Sequence, residues 1–235
     1  MIEPLLDISE LSVTYTDGAT ALRGVALSVA AGERVALIGP NGAGKTSLML
    51  AIMNAVPWRG QIRVDGIDLS RRTENQARSR CGMTFQNADD QLFMPSLLED
   101  VAFGPLNQGL PPHEADALAR QAIAAVGLSG LEDRPGHHMS GGQKRSASLA
   151  TILAMQAKLL LLDEPGSNLD HRSRARLIQL LASRGEAMLL ATHDLDMVRR
   201  LCNRCVLLDE GSLIADSPTA DLLADASLLE QHGVG

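Results

Sequence analysis

Apolar and polar positions alternate in part along residues 5 to 15 (LLDISELSVTY) and again from Val25 to Val29. A period of two marks half-buried strands, and Thr16-Asp17-Gly18 supplies the turn chemistry between them, so an antiparallel pair is predicted. Continuous apolar runs replace the alternation at Val35-Ala36-Leu37-Ile38, at Leu159 to Leu162 and at Ala187 to Ala191. Strands of that kind are covered on both faces, as in a parallel sheet. Helical spacing follows at Ser47 to Ile52, at His113 to Val126 before Gly127, at Lys144 to Met155 behind a Ser140 cap, and at Leu177 to Leu181. Gly60 to Leu69 alternates around Asp65-Gly66, a hairpin signal, with Trp58 just before it assigned to the core. Gly82 to Phe85 is a short buried strand ending in Gln86, and Val206 to Leu208 and Leu213 to Ala215 are strands on either side of Glu210-Gly211. Pro218 to Gly235 is expected to be a short helix and a fraying tail. Alternating strands and helices give an α/β fold with a mostly parallel central sheet and an N-terminal antiparallel β portion.

One stretch breaks the pattern. Asn87 to Leu110 is acidic at Asp89-Asp90 and then apolar at Leu92, Phe93, Met94, Leu97, Leu98, Val101 and Phe103. With its Pro and Gly content it is either a core segment with a surface turn or an apolar loop that docks another protein.

Composition changes the picture in a few places. The 235 residues are enough for one large domain or a core with a smaller subdomain. Aromatic residues make up only 2%, so aliphatic side chains and Met must fill the core. The net charge of −7, with no basic block longer than Arg71-Arg72 or Arg199-Arg200, argues against nucleic acid as a partner. Cys81, Cys202 and Cys205 make neither a metal quartet nor an even disulfide set, and Cys202-x-x-Cys205 is taken as structural in a reducing compartment. Met1-Ile2-Glu3-Pro4 lacks a basic n-region and a long apolar stretch, so no signal peptide is expected. The run Leu159 to Leu162 is cut short by Asp163, far below the ~18–20 residues of a membrane span.

The sharpest chemistry lies between the strand at Val35 and the helix after Lys45. Gly39, Pro40, Asn41, Gly42, Ala43, Gly44, Lys45 and Thr46, followed by Ser47, have the form G-x-x-x-x-G-K-[ST] in the strand-to-helix context that a phosphate-binding P-loop requires. Glycines let successive N–H groups turn inward, and the helix start adds its positive dipole end. Lys45 would sit between the β- and γ-phosphates, and the Thr46 hydroxyl would be a ligand to Mg²⁺. Ser140-Gly141-Gly142-Gln143 is a second helix N-terminus with glycines at its mouth, able to cap the helix or to bind an anion. Asp163 and Glu164 end the Leu159 run: beside a P-loop, Asp163 could hold Mg²⁺ and Glu164 could polarise an attacking water. His193, at the end of the Ala187 run, is expected on the same side and could contact a γ-phosphate. Tyr15, at the end of the first strand, either packs or stacks on a nucleotide base.

Together these residues resemble the nucleotide-binding subunits of ATP-binding cassette (ABC) transporters over essentially the whole chain. The motifs are a Walker A GPNGAGKT, a Q-loop glutamine at Gln86, a signature MSGGQ (Met139 to Gln143), a Walker B LLLLDE (Leu159 to Glu164), a D-loop SNLD (Ser167 to Asp170) and a switch histidine at His193. The resemblance implies a single ABC ATPase domain over 1–235, with a β subdomain and P-loop core at 1–85 and 157–235 and a Q-loop and helical subdomain at 86–156. It implies ATP and Mg²⁺ as cofactors, Gln86 with Thr46 and Asp163 at the metal, Glu164, His193 and Gln86 in catalysis, and Tyr15, Gly39 to Ser47 and Ser140 to Gln143 on the nucleotide. It further implies a head-to-tail pair, either a homodimer or with a paralogous cassette, in which one subunit's P-loop faces the other's Ser140-Gly141-Gly142.

Within the family, FQNADDQLFMPSLLEDVAFGP followed by HHMSGGQKR is similar to the energy-coupling factor group, whose ATPases serve importers of vitamins and transition metals. That likeness implies cobalt or nickel as cargo, with biotin or another vitamin as the alternative. A transmembrane subunit would dock at residues 86–103, a substrate-binding membrane subunit would be an indirect partner, and the chain would lie on the cytoplasmic face of the cell membrane. Charge introduced at Phe93 or Leu97 is then expected to uncouple transport. The chain departs from the family pattern at Gly166-Ser167-Asn168, at Met139, and after Gln143, where the family favours more basic residues than Lys144-Arg145-Ser146. A soluble cassette acting on DNA or ribosomes would carry a basic face or long insertions, and a non-hydrolysing switch would be expected to lose Glu164 or His193; neither description fits this sequence.

Overall fold

The antiparallel pair at the start of the chain is formed by β1 (Leu6–Thr14) and β2 (Thr20–Val29), in register from Leu6 opposite Val29 to Thr14 opposite Thr20. The computed structural model describes residues 3–234; the start of the Met1-Ile2-Glu3-Pro4 stretch on which the signal-peptide expectation rests, and the last tail residue Gly235, lie outside them. The chain continues through β3 (Arg34–Ile38), α1 (Lys45–Ile52), β4 (Trp58–Val64), β5 (Ile67–Asp68), α2 (Glu74–Arg78) and β6 (Cys81–Thr84). Next come α3 (Leu97–Asn107), α4 (Pro112–Ala125), α5 (Gly141–Ala154), β7 (Leu159–Asp163), α6 (His171–Ala182), β8 (Ala187–Ala191) and α7 (Leu195–Leu201). The remainder is β9 (Arg204–Asp209), β10 (Ser212–Pro218), α8 (Thr219–Leu222) and α9 (Ala226–Gln231).

The chain divides into two units. The first takes the chain up to Cys81, Lys158–Asp163 and the chain from Gly185 onward; the second is Gly82–Ala157 with Glu164–Arg184. In the first unit one sheet is antiparallel, in the order β2-β1-β4-β5, and the other runs β10-β9-β3-β8-β7. β3 is parallel to both β8 and β9, and β7 is parallel to β8. Every residue of β7 and of β8 is buried, which is why these strands read as unbroken apolar runs. Each Leu there contributes about 1.5–3 kcal/mol of burial. In the second unit α3, α4 and α5 pack on one another.

Three expectations are corrected. Trp58 is only half-buried, because its indole N–H reaches the Asn54 Oδ1 at 2.9 Å, giving the ring's polar edge a partner near the surface. Asn87 to Leu110 is not simply a loop: Ser96 caps α3, its Oγ accepting from the Glu99 N–H at 3.3 Å and donating to the Glu99 carboxylate at 2.8 Å. Pro105 sits inside that helix, where it has no N–H to offer the carbonyl four residues back. The tail does not fray before its end, since Leu222 of α8, Leu229 of α9 and Val234 beyond it are buried, and His232 Nδ1 lies 2.7 Å from Asp209 Oδ2.

Candidate nucleotide site

Strand register sets the stage in the first unit. Leu37 pairs with Ala191, and Ala191 with Asp163, so β3, β8 and β7 end at one edge of the sheet. Gly39 follows β3 and His193 follows β8 at that edge, the position that α/β sheets use for ligands. His193 is exposed, and Asp194 beside it caps α7 by accepting from the Met197 N–H at 3.0 Å.

The loop from Gly39 to Gly44 is held by its surroundings. Gly39 has φ 145°, and a Cβ there would stand 2.0 Å from the Leu208 carbonyl oxygen; Gly44 has φ 105°, and its Cβ would stand 2.6 Å from the Ala21 oxygen. Only glycine meets both demands, so the loop's curvature is written in residue type. The Ala43 carbonyl accepts from the Gly211 N–H at 3.1 Å, while Asn41 and Gly42 form an exposed tip. Lys45 Nζ donates to the carbonyls of Gly39 at 2.6 Å and Pro40 at 2.9 Å, which places the ammonium inside the curl. Thr46 Oγ1 donates to Asp163 Oδ2 at 2.7 Å, and Asp163 is 2% exposed. Tyr15 is half-buried with its hydroxyl 2.9 Å from Ser47 Oγ, so the ring is tied to the first turn of α1.

Gln86, Ser140 to Gln143 and Glu164 belong to the second unit. Gln86 is exposed just beyond β6. Ser140 and Gln143 form a reciprocal capping box on α5: the Ser140 N–H donates to Gln143 Oε1 at 2.9 Å, and the Gln143 N–H donates to Ser140 Oγ at 3.3 Å. Gly141 is exposed and Gly142 half-buried at this helix mouth. Glu164 is buried and left-handed at φ 47°, with its carbonyl accepting from the Ser167 N–H at 3.1 Å. A non-glycine residue held there carries strain of about 1–3 kcal/mol. Asp170 caps α6 by accepting from the Ser173 N–H at 2.8 Å; that hydrogen bond, followed by one from the Ser173 hydroxyl, holds its carboxyl below the usual range. A groove of about 940 Å³ runs past Ser140, Gly142, Gln143, Leu169 and Arg176.

The apolar segment after Gln86 divides into buried and exposed positions. Leu97 and Val101 are buried, correcting the pairing of Leu97 with Phe93 as surface residues, whereas Phe93 is 62% and Phe103 41% exposed. The two rings meet edge to face, 5.1 Å between centroids. Sequence reasoning missed what holds them: Asp100 Oδ1 accepts from the N–H groups of both Phe93 and Met94 at 2.9 Å. The three cysteines are buried free thiols, pushed up to about 12 by burial, as inert core residues are.

The sequence model of the ABC transporter family matches residues 22–167. The chain belongs to that family. It is an ATP-binding cassette with ATPase activity, the catalytic subunit type of a transporter. The energy-coupling factor transporter ATP-binding protein EcfA of Methanothermobacter thermautotrophicus is 39% identical over 233 residues, 97% of this chain and 75% of that protein. The structure described as cbiO1 from Clostridium perfringens, part of the ABC transporter complex cbiONQ, superposes with a TM-score of 0.82 at 32% identity, covering 97% of this chain and 94% of that one. The ATP-binding cassette MJ0796 shares the fold at a TM-score of 0.83 and 23% identity, over 91% of this chain and 98% of that one. The cassette therefore has the P-loop NTPase fold of ABC ATPases, with its antiparallel β and helical parts. Among the described residues no helix is long and apolar enough to cross a membrane, and no group of three or more His, Cys, Asp or Glu is placed to hold a metal ion.

Proposed function

We propose that this cassette powers an importer of the energy-coupling factor type, carrying a transition-metal ion, cobalt or nickel, or a vitamin such as biotin. The observation that carries this reading is the similarity over 97% of the chain to EcfA and to cbiO1, both named as parts of transporters. Cobalt or nickel is put first on the same resemblance.

The residues support a chemistry of positioning and charge neutralisation. The loop amides and Lys45 hold the phosphates. A hydroxyl and a carboxylate 2.7 Å apart, Thr46 and Asp163, are hard oxygen donors that fit Mg²⁺, and the family resemblance adds Gln86 to the residues expected to serve the ion. When bound, the ion would neutralise charge on the β- and γ-phosphate oxygens. Glu164 orients and deprotonates water, His193 reads the γ-phosphate, and Tyr15 borders the base. Ser140, Gly141, Gly142 and Gln143 act on the nucleotide of a second subunit, a homodimer partner or a paralogous cassette placed head to tail. ATP then favours the closed pair, and hydrolysis reopens it.

The exposed Phe93–Phe103 pair and the segment 86–103 are the docking face for the transmembrane subunit, with the substrate-binding subunit reached through it and the cassette on the cytoplasmic membrane face. Co-expression with an energy-coupling factor transmembrane subunit and a substrate-binding membrane subunit tests this. The subunits should extract together in detergent and take up radiolabelled Co²⁺, Ni²⁺ or biotin on ATP addition. A complex that forms but moves none of the three cargoes would reject the substrate assignment, and failure to associate would reject the transporter type.

A further inference from the structure

Arg145 is a cation where the apolar pattern of α5 has no place for one. It is 7% exposed, so its guanidinium must be satisfied inside the protein. Nη1 donates to the Phe85 carbonyl at 2.8 Å, and Nη2 donates to the Gln86 carbonyl at 2.6 Å and to Ser167 Oγ at 2.8 Å. These acceptors come from separate stretches: the end of β6, and the turn in which the Ser167 N–H donates to the Glu164 carbonyl. The planar fork of arginine serves several fixed acceptors at once; a lysine ammonium keeps the charge without that geometry.

The same helix also grips the far end of this segment. Gln91 Nε2 donates to the Ser148 carbonyl at 3.0 Å and to Thr151 Oγ1 at 2.6 Å, while Gln91 Oε1 accepts from the Phe85 N–H at 3.1 Å. Lys144 pairs with Asp89 between these two points. Residues 85–91 are thus moored on α5 at both ends, and only the Arg145 end continues to the turn after Glu164.

We propose that Arg145 is a positioning residue for ATP turnover, which through Ser167 ties the Glu164 turn to the backbone of Phe85 and Gln86. The proposal rests on the assignment of Glu164 and Gln86 above. Arg145 acts through other groups: it sets where the backbone of Gln86 and the turn after Glu164 are held, and small misplacements of reacting groups are costly. A shift of the turn on hydrolysis passes through the Ser167 hydroxyl to the guanidinium, and from there to the carbonyls that begin the segment leading to Phe93.

The test uses the full chain and two readouts: phosphate release over an ATP series, and amide hydrogen exchange of residues 85–91 with and without Mg-ATP. Arg145→Ala should lower kcat about tenfold with KM within about twofold, the mark of an interaction needed after binding. Arg145→Lys should restore the melting temperature but not kcat. Ser167→Ala, which keeps the backbone of the turn and removes one of the three acceptors of Arg145, should lower kcat about threefold and abolish the nucleotide-dependent exchange change at 85–91, with a thermal melt to check the fold. Wild-type kcat and an intact exchange response in Ser167→Ala would overturn the proposal. So would a full restoration of kcat by Arg145→Lys, which would reduce Arg145 to a structural charge. Glu164→Gln is measured in parallel: if it turns over normally, the underlying assignment fails, whereas its loss beside inert Ser167 and Arg145 variants refutes the positioning role alone.

Discussion

The Thr46 hydroxyl donates to Asp163 Oδ2 at 2.7 Å, joining the first turn of α1 to the last residue of β7. Two oxygens that the sequence separates by more than a hundred positions are thereby presented together at the sheet edge where β3 leads into the phosphate loop. Thr46→Ala and Asp163→Asn should each lower turnover by about 10²-fold, in line with removing a metal-positioning group at a phosphoryl-transfer site. Thr46→Ser should retain most activity, since it keeps the hydroxyl. Nucleotide binding with Mg²⁺ or with EDTA checks the cause: the Mg²⁺-dependent gain in affinity should shrink in the two disruptive variants and persist in Thr46→Ser.

Phe93 and Leu97 stand four residues apart and should answer oppositely to charge. Phe93→Asp places a carboxylate on an exposed ring position, so the melting temperature should stay near that of the wild type while uptake by the assembled transporter falls. Leu97 is 1% exposed, and even truncation there costs about 2–5 kcal/mol. Leu97→Asp adds an unpaired buried charge and should unfold the second unit. Thermal melts paired with uptake separate the two, and equal loss of stability would contradict the burial of Leu97 and the exposure of Phe93.

Asp100 gives a pH dependence whose sign is fixed. Burial pushes its carboxyl above the usual 3.8, only partly opposed by hydrogen bonds from the Met94 and Phe93 N–H groups, and Oδ2 is buried without a hydrogen-bond partner. The folded state therefore holds the proton more tightly than the unfolded chain. This contribution favours the fold fully below 3.8 and is lost as pH rises from there through the folded value. Asp100→Asn keeps an oxygen for both N–H groups and carries no charge. Its stability should lack that decline, so the difference from wild type, measured by denaturant melts across the acidic range, should move in favour of the variant as pH rises. A constant difference would contradict the assignment.

Much of the site was legible because its demands are met by residue type alone. Gly39 and Gly44 are the residues that fit φ 145° and 105° against the Leu208 and Ala21 carbonyls, and a buried β7 must be an apolar run broken only where Asp163 and Glu164 begin their work. Ser140 with Gln143 announces a helix start for the same local reason. Helix α3 was announced too, by Ser96 and Glu99 at capping-box spacing, but Pro105 and the glycines around it spoke for a loop. Without the helix, Leu97 in its first turn could not be told from Phe93, which precedes the Ser96 cap. Trp58, the packed tail and Arg145 were illegible for a different reason. Their surroundings are set by contacts distant in sequence, such as Arg145 with Phe85 and Ser167, which no local pattern encodes.

Turnover by Glu164→Gln bears most directly on the central claim that this chain is an ATP-hydrolysing cassette whose buried, left-handed Glu164 activates water. The change is nearly isosteric and leaves the phosphate loop untouched, so Mg-ATP should bind with unchanged affinity and hold the variant in its dimeric form. Steady-state phosphate release should fall about 10²-fold or more, the loss expected on removing a general base. Wild-type release by the purified variant would contradict the account.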